Sequence, residues 1–439
     1  MLELGPEWLT IILFGSLVLL LVAGLPLVFA IGGVATFFII LLWGPHALPI
    51  LANRTYMAMD MFLLVAVPMF IFMGAMLQRC GIAEDMYELI YHWMAGLRGG
   101  LAAGTVLICT MFAAMVGISG AATTSMGLIA LPSMLKRGYR KELAIGCISA
   151  GGSLGILIPP SVLMIILALT SRVSIGQMFI AGILPGLLLS FLFIAYILIR
   201  SYIQKDLAPA VPAELRLPLA ARMKLLAGLL LPIGLIFAVM GSMFFGIATP
   251  SEASAIGALG AILSAGIKRS LTWPNFTSAL FITLRLTAMV VWIVFAASAF
   301  TSLYAVTGAA SLVSTLIKEV GDPWMVILTM TLILFVLGMF FDPGGIVLLT
   351  APIFFPIVIS LGFDPLWFAI LFVINMELAY LTPPFGFNLF YMKAVTPPDI
   401  TMMDIYKSQT PFVLLMLLGL GLCMVFPGII TWLPSLMVN

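Results

Sequence analysis

Hydrophobic and polar positions in this 439-residue chain fall in long blocks rather than at short periods. Uncharged stretches run over 9–45, 61–78, 99–135, 143–171, 173–199, 225–251 and 286–317, with several more after 323. A helix needs about 20 apolar residues to cross the hydrocarbon core, so these blocks supply about ten crossings or hairpins. The block 99–135 lies between Arg98 and Lys136 and carries SGAATTS, Ser119 to Ser125, at its centre. Without that polar centre each arm is too short to cross, and small and hydroxyl residues suit a tip that approaches a partner closely. A re-entrant hairpin is the expected form. A second pair of arms, 323–341 and 345–360, flanks FDPGG, Phe341 to Gly345. Each hairpin block is followed by an apolar segment with paired prolines. GILIPPS (Gly155 to Ser161) lies inside the uncharged run Leu143 to Ser171, and AYLTPPF (Ala379 to Phe385) follows at the same phase further on.

Charge placement orients these elements. Basic residues gather at Lys136, Arg137, Arg140 and Lys141, at Arg200, Lys205, Arg216, Arg222 and Lys224, and at Lys268 and Arg269. The positive-inside rule puts all three clusters in the cytoplasm, and counting crossings between them agrees. The first hairpin then starts from the cytoplasmic side and the second from the periplasmic side. The order reads as two copies in opposite orientation. Each has an apolar helix (61–78; 286–305), an amphipathic stretch (84–98; 309–322), a hairpin, a Pro-Pro-broken helix and a closing helix (177–199; 411–430). Inverted repeats with discontinuous helices are the pattern of secondary transporters.

The predicted fold is therefore an all-α polytopic membrane protein with inverted repeats, two re-entrant helical hairpins and two Pro-Pro-broken helices. N-terminal scaffold helices and an arm occupy 1–98, and a first transport module 99–171. Central scaffold helices, with the cytoplasmic loop 201–223 and a second arm, occupy 172–322. A second transport module spans 323–396 and a C-terminal helix 397–439. Gly24 and Pro26 leave 9–45 open as two short crossings or one long tilted helix. The opening residues MLELGPEW carry two acids and no base, which argues against a cleavable signal with a basic start.

Composition narrows the function classes. Hydrophobic residues make up 63% of the chain and charged residues 8%, against about 25% charged in soluble domains, so no stretch suits a soluble domain. Cys80, Cys109, Cys147 and Cys423 show no metal-ligand spacing and are expected as small buried hydrophobes. The only histidines, His46 and His92, leave little for a histidine metal site or a Ser/His/Asp triad. A net charge of +2 gives no reason to expect a nucleic-acid partner. The partner surface is the lipid bilayer.

The paired prolines carry the chemistry. Proline has no backbone N–H and clashes with the preceding turn, so each pair unwinds its helix and frees carbonyls. In lipid such groups persist only where they face protein, water or a ligand. Freed carbonyls are hard donors suited to Na+, and the half-helix beyond each break points its positive end at an anion. Asp342 is an intramembrane acid and a functional candidate, or else the cap of the arm that starts at Gly345. Glu377 pairs within the bundle, helps set the charge for a cation, or hydrogen-bonds freed backbone. Asn388 donates to a substrate or packs as an amide. Arg285 is expected to snorkel from the cytoplasmic start of its helix, and Arg54 and Asp60 to anchor the periplasmic interface.

Taken together, SGAATTS, ALPSMLKRGYRKE (Ala130 to Glu142), GGSLGILIPPS (Gly151 to Ser161), FDPGG with APIFFPI (Ala351 to Ile357) and NMELAYLTPPFGFNLF (Asn375 to Phe390) resemble the large membrane subunit of tripartite ATP-independent periplasmic (TRAP) transporters. The similarity covers residues 9 to 430 in the family's order. It implies sodium-driven uptake of a small organic anion, a carboxylate such as a C4-dicarboxylate or sialic acid, or a sulfonate, across the bacterial inner membrane. It also implies an elevator mechanism, a small membrane subunit as a separate chain, and a periplasmic binding protein that delivers substrate. By motif position, the first sodium site draws on Ser119 and the carbonyls of Gly155, Ile158 and Pro160. The second draws on Gly344, Ala379, Thr382 and Pro384. Substrate contacts fall on Ser125, Asp342 and Asn388. The small residue before the first Pro-Pro is Gly155 but its counterpart is Ala379, which puts the tighter backbone geometry of the second site in question. Two or more sodium ions are expected, because a charge crossing 100 mV is worth about 2.3 kcal/mol and two such ions would offset a dianion. Two other readings are a stand-alone sodium/dicarboxylate symporter and an intramembrane enzyme using Asp322, Asp342 or Glu377. A purely structural subunit would leave two mid-membrane breaks without a purpose.

Overall fold

A computed structural model describes residues 5–94, 96–211, 217–308 and 321–438, together with Leu312 and Thr315. Every regular element among the described residues is helical. The N-terminal block forms two helices of 17 residues each, α1 (Pro6–Val22) and α2 (Leu27–Trp43). They are parted at Gly24, whose φ of +85° is one that glycine adopts without strain. After α3 (Pro49–Met59), the apolar α4 (Ala66–Gln78) and α5 (Ile82–Met94) meet at a bend of 57°. On α5 the residues Ile82, Ala83, Met86, Tyr87, Leu89 and Ile90 are buried while Glu84, Asp85 and Glu88 face out. That spacing makes it the expected amphipathic arm. Its Asp85 pairs with Lys268. The second amphipathic stretch, 309–322, lies almost wholly outside the described residues.

Next comes an antiparallel pair, α6 (Gly100–Val116) and α7 (Ser119–Lys136). Its feet touch, because the Leu101 N–H donates to the Tyr139 hydroxyl at 3.3 Å. Both feet are also tied to the segment at Leu207 and Ala208. Gly99 N–H donates to the Ala208 carbonyl (3.1 Å) and Arg140 N–H to the Leu207 carbonyl (3.0 Å). The turn of this pair is Gly117-Ile118, with Gly117 left-handed at φ +67°, and not SGAATTS, which forms the opening turns of α7. The small residues serve packing along a helix rather than a loop. An added Cβ on Gly120 would lie 2.7–2.9 Å from the Tyr391 ring.

The first broken segment is α8 (Lys141–Ser153), one 3-10 turn (Leu154–Ile156), an irregular stretch to Ser161, and α9 (Val162–Ser171). Helix α10 (Ile175–Ile203) runs 29 residues. It packs on α6 and α9. A crossing over Ala221–Phe244 is assembled from α11 (Leu219–Leu225), α12 (Leu230–Ile236), a five-residue π turn and α13 (Ser242–Phe244). Then follow α14 (Pro250–Ile267) and α15 (Trp273–Val306). Because α15 starts at Trp273, Arg285 sits exposed in its fourth turn, deeper than its expected place at the start.

A second antiparallel pair, α16 (Pro323–Gly338) and α17 (Pro343–Ser360), brings its feet together through Trp324, whose ring meets Phe363 edge-on at 5.2 Å. The second broken segment is α18 (Pro365–Tyr380) and α19 (Phe387–Val395), and the chain closes with α20 (Met402–Val425) and the short α21 (Gly428–Thr431). Among the described residues, five helices are long and apolar enough to span a bilayer, or six counting the bent α4–α5 pair, and the protein is a multi-pass membrane protein. The shorter apolar helices hold 10–17 residues, about 15–26 Å of rise against a core of about 30 Å.

The helices leading into the two breaks are the most enclosed parts of the molecule, with every residue of 143–161 and of 366–379 buried. Lys141 at the start of α8 forms an ion pair with Asp404 at 2.9 Å. Asp404 also completes a capping box with Thr401 on α20. The hydrogen bond to Asp404 raises the Lys141 ammonium above the usual lysine range. The pair's contribution is therefore complete at neutral pH, is lost as pH climbs through that raised value, and is lost at the acid end as the Asp404 carboxylate takes up a proton. Asp404→Ala removes cap and ion pair together while Lys141→Ala removes the pair alone. Asp404→Ala is expected to lower the melting temperature of the purified protein further than Lys141→Ala, and equal shifts would show that the cap contributes nothing.

Candidate functional site

Each break is seated against the turn of a hairpin. At the first, Pro159 and Pro160 cannot donate, so the carbonyls of Gly155 and Ile156 lose their helical partners. Ser161 Oγ donates to the Ile156 carbonyl at 2.7 Å and also caps α9. The carbonyls of Gly155, Ile158 and Pro160 accept no turn or loop backbone hydrogen bond among the described residues. The turn Gly117-Ile118 sits on this segment. A Cβ on Gly117 would collide with the Pro160 carbonyl, and one on Gly155 would lie 3.1 Å from Ser119 N and Cα. Gly155 and Pro160 are thus brought against the Gly117-Ile118 turn and Ser119, and Ser119, Gly155, Ile158 and Pro160 are all buried. The Ile158 side chain faces α10, against Gly186.

The second break is more open. Ala379 is buried, Thr382 half-buried, and Pro384 and Phe385 exposed, Phe385 at 49%. Thr382 N–H donates to the Ala379 carbonyl (3.1 Å), and the Tyr406 hydroxyl donates to the Pro384 carbonyl (3.0 Å). The Phe385 N–H reaches the Met339 carbonyl in the turn of the second hairpin at 3.3 Å. Gly338, one residue earlier, faces Ala379 so closely that a Cβ on it would overlap the Ala379 methyl. The glycine that the first site carries on its break is therefore carried here by the hairpin, and the close approach survives the Gly-to-Ala departure. Gly344 lies in the first turn of α17, where its N–H donates to Asp342 Oδ2 at 3.0 Å. Asp342 acts as the N-cap of α17 and is half-buried.

Two side chains join the breaks to each other. Glu377, fully buried on α18, holds its Oε1 at 3.0 Å from Ser153 Oγ on α8, while its Oε2 has no hydrogen-bond partner among the described residues. The separation of 224 residues equals the offset between Gly155 and Ala379, so equivalent positions of the two broken segments meet. Asn388, fully buried at the start of α19, accepts from Ser119 Oγ (3.2 Å) and Thr123 Oγ1 (2.7 Å) and donates to the Ser149 carbonyl (2.6 Å). Ser125 lies a turn beyond, accepting from Gln78 Nε2 of α4 at 3.1 Å. Ser125 is therefore at the boundary with α4, apart from the cluster of Ser119 and Asn388.

Sequence reading did not single out Thr123, Ser149, Ser153, Gly117 or Gly338. The offset of the two Pro-Pro motifs would have found the Ser153–Glu377 pair. Nothing in the sequence marks Thr123 or Ser149 apart from their neighbours. All four cysteines are free and buried, as expected.

A cavity of about 1360 Å3 opens between α3, α15, the α9–α10 turn and α17. It lies at the end of α10 away from the basic loop. Arg54, Arg172 and Asp364 line it with hydroxyls that include Thr170, Ser174 and Thr301. None of the sequence-predicted ligands reaches it.

Residues 14–429 match the family model described as tripartite ATP-independent periplasmic transporter, DctM component. The C4-dicarboxylate TRAP transporter large permease protein DctM of Pseudomonas aeruginosa is 34% identical over 401 residues, covering 90% of this chain and 92% of that protein. The ectoine/5-hydroxyectoine TRAP transporter large permease protein UehC of Ruegeria pomeroyi is 32% identical, covering 97% of this chain and 98% of that one. Among solved structures, the YdaH transporter of Alcanivorax borkumensis shares the fold, with a TM-score of 0.64 at 14% identity over 90% of this chain and 91% of that one. With two hairpin turns seated on two proline breaks and nearly its full length matched, the chain belongs to the tripartite ATP-independent periplasmic transporter family as a DctM component, a large permease subunit and not an enzyme.

Proposed function

We propose that this protein is the permease of a sodium-driven system that takes a small carboxylate-bearing solute across the bacterial inner membrane by an elevator movement. The observation that carries the reading is the meeting of the two breaks. Glu377 and Asn388 of the second segment reach Ser153, Ser119 and Thr123 of the first module. Side-chain oxygens from both halves converge beside the proline breaks. The equality of the Ser153–Glu377 separation with the motif offset supports an inverted repeat. C4-dicarboxylates and ectoine, named for the two relatives, both carry a carboxylate, and the N-terminal ends of α9 and α19 suit such a group.

In this reading Ser119 with the Gly155, Ile158 and Pro160 carbonyls holds one sodium ion, and the region of Gly344, Ala379, Thr382 and Pro384 holds another. The hairpins and broken helices move as a unit, and α1–α4 with α14 and α15 stay fixed. A small membrane subunit enlarges the fixed part, and a periplasmic protein delivers the solute. The large cavity, which lies between α3 and α15 of the fixed part and α17 of the moving part, faces the delivering side. Its two arginines favour an anion arriving there. Arg54→Glu combined with Arg172→Glu is expected to lower uptake severalfold at low solute concentration, with the deficit shrinking as salt rises. A deficit independent of salt would remove the cavity from the delivery path.

The reading is tested by uptake into proteoliposomes containing this chain and its small subunit, with and without an inward sodium gradient and with and without the binding protein. Uptake that needs both supports it. Sodium-driven uptake without the binding protein leaves a stand-alone symporter, and uptake indifferent to sodium overturns the cation sites.

A further inference from the structure

We infer that Asn388 is a positioning residue that strips the Ser119 and Thr123 hydroxyls of their protons' freedom, so that Ser119 faces the first break with lone pairs only. The inference rests on the sodium reading above. It starts from the Ser149 carbonyl, which can only accept, so the Asn388 group 2.6 Å away is Nδ2. The other end of the amide is then Oδ1, an acceptor, and the hydroxyls of Ser119 and Thr123 both donate to it.

The hydroxyls elsewhere show how unusual this is. A helical Ser or Thr commonly gives its proton to the carbonyl four residues back, and Thr105, Thr110, Thr124, Ser201 and Thr350 all do so. Thr123, with Ser119 four residues before it on the same face of α7, gives its proton to Asn388 instead. A hydroxyl has one proton and two lone pairs, and a cation takes only the latter. With its proton committed, Ser119 enters the first site as an acceptor, next to Gly155.

Asn388 lies two residues beyond Gly386, where the second break ends, so this preset links the two halves. A shift of α19 relative to α7 frees the Ser119 proton and weakens the first cation site. Asn388 itself, with Oδ1 accepting twice and one Nδ2 proton committed, keeps at most one N–H for any solute.

The test measures sodium half-saturation of uptake at saturating solute, and solute KM at saturating sodium, in the assembled complex. Asn388→Leu, close in volume but without an acceptor, is expected to raise the sodium half-saturation at least tenfold with solute KM within threefold. Asn388→Asp, buried against the Ser149 carbonyl and so protonated on the oxygen that faces it, keeps both that donation and an acceptor for the two hydroxyls, and is expected to hold sodium half-saturation within threefold of the parent. An assembled Asn388→Leu protein with unchanged sodium dependence overturns the inference, as does a rise in solute KM alone, which would make Asn388 a solute contact. If the Leu variant does not assemble, a tenfold loss of sodium affinity in Asn388→Asp overturns it equally. A parent protein indifferent to sodium shows instead that the underlying reading has failed.

Discussion

Gly155→Val is expected to abolish sodium-driven uptake, by about 100-fold or more, in a protein that still inserts and melts cooperatively. The magnitude follows from displacement of a site whose oxygens must sit within about 1 Å of their working places. A Cβ at position 155 would lie 3.1 Å from Ser119 N and Cα and 3.2 Å from the Ile118 carbonyl carbon. These are backbone atoms at the foot of a helix and cannot rotate aside, so the two further carbons of valine would drive the Gly117-Ile118 turn off the break. Overpacking of this kind typically costs about 1–3 kcal/mol, tolerable for a protein with so enclosed a core. Gly155→Ala, which asks its neighbours to give by only tenths of an ångström, should retain measurable uptake with weakened sodium affinity. Sodium-dependent uptake at parental rates by Gly155→Val would place the first cation site elsewhere.

The second large effect is a loss followed by a rescue. Gly338→Ala is expected to impair uptake about as severely, because its new methyl would overlap that of Ala379, the only atom of the surroundings closer than ordinary contact distance. Ala379→Gly removes that atom, so the double variant Gly338→Ala with Ala379→Gly should regain most of the lost uptake. Ala379→Gly alone should be nearly silent. Such non-additivity, read as a double-mutant cycle, is what residues in direct contact show. It would establish that the second site uses the same close approach as the first with the glycine moved to the opposite partner. Additive losses would mean that the two positions do not share one contact during transport.

Much of this architecture is legible in the sequence because membrane helices must satisfy their own backbones. Arms too short to span, and prolines where a span should be continuous, announce hairpins and breaks before any coordinates. What the sequence hides is how one residue type serves several ends. SGAATTS reads as a tip because small residues suit close approach, yet that approach occurs along the side of α7, and the turn needs only Gly117 and Ile118. The start of α15 is missed because Arg285 marks an edge of the uncharged block, whereas an exposed arginine is tolerated within a helix that continues past it. Asp342 announces itself as a cap through the following proline, and the structure shows it capping α17. Asn388 could not be apportioned between packing and binding, since its partners come from a segment 239–269 residues away.

The two backbone hydrogen bonds that fasten the feet of the first hairpin to Leu207 and Ala208 also set a limit on travel. From Ala208 to Pro218, just before α11, the chain has ten residues to pay out, a reach of about 33–36 Å when fully drawn. The loop between the two halves is thus a leash. If the hairpin moves as proposed, no stroke could carry it further than that from α11 while those bonds hold, and shortening the loop residue by residue would tighten that limit without touching any binding site.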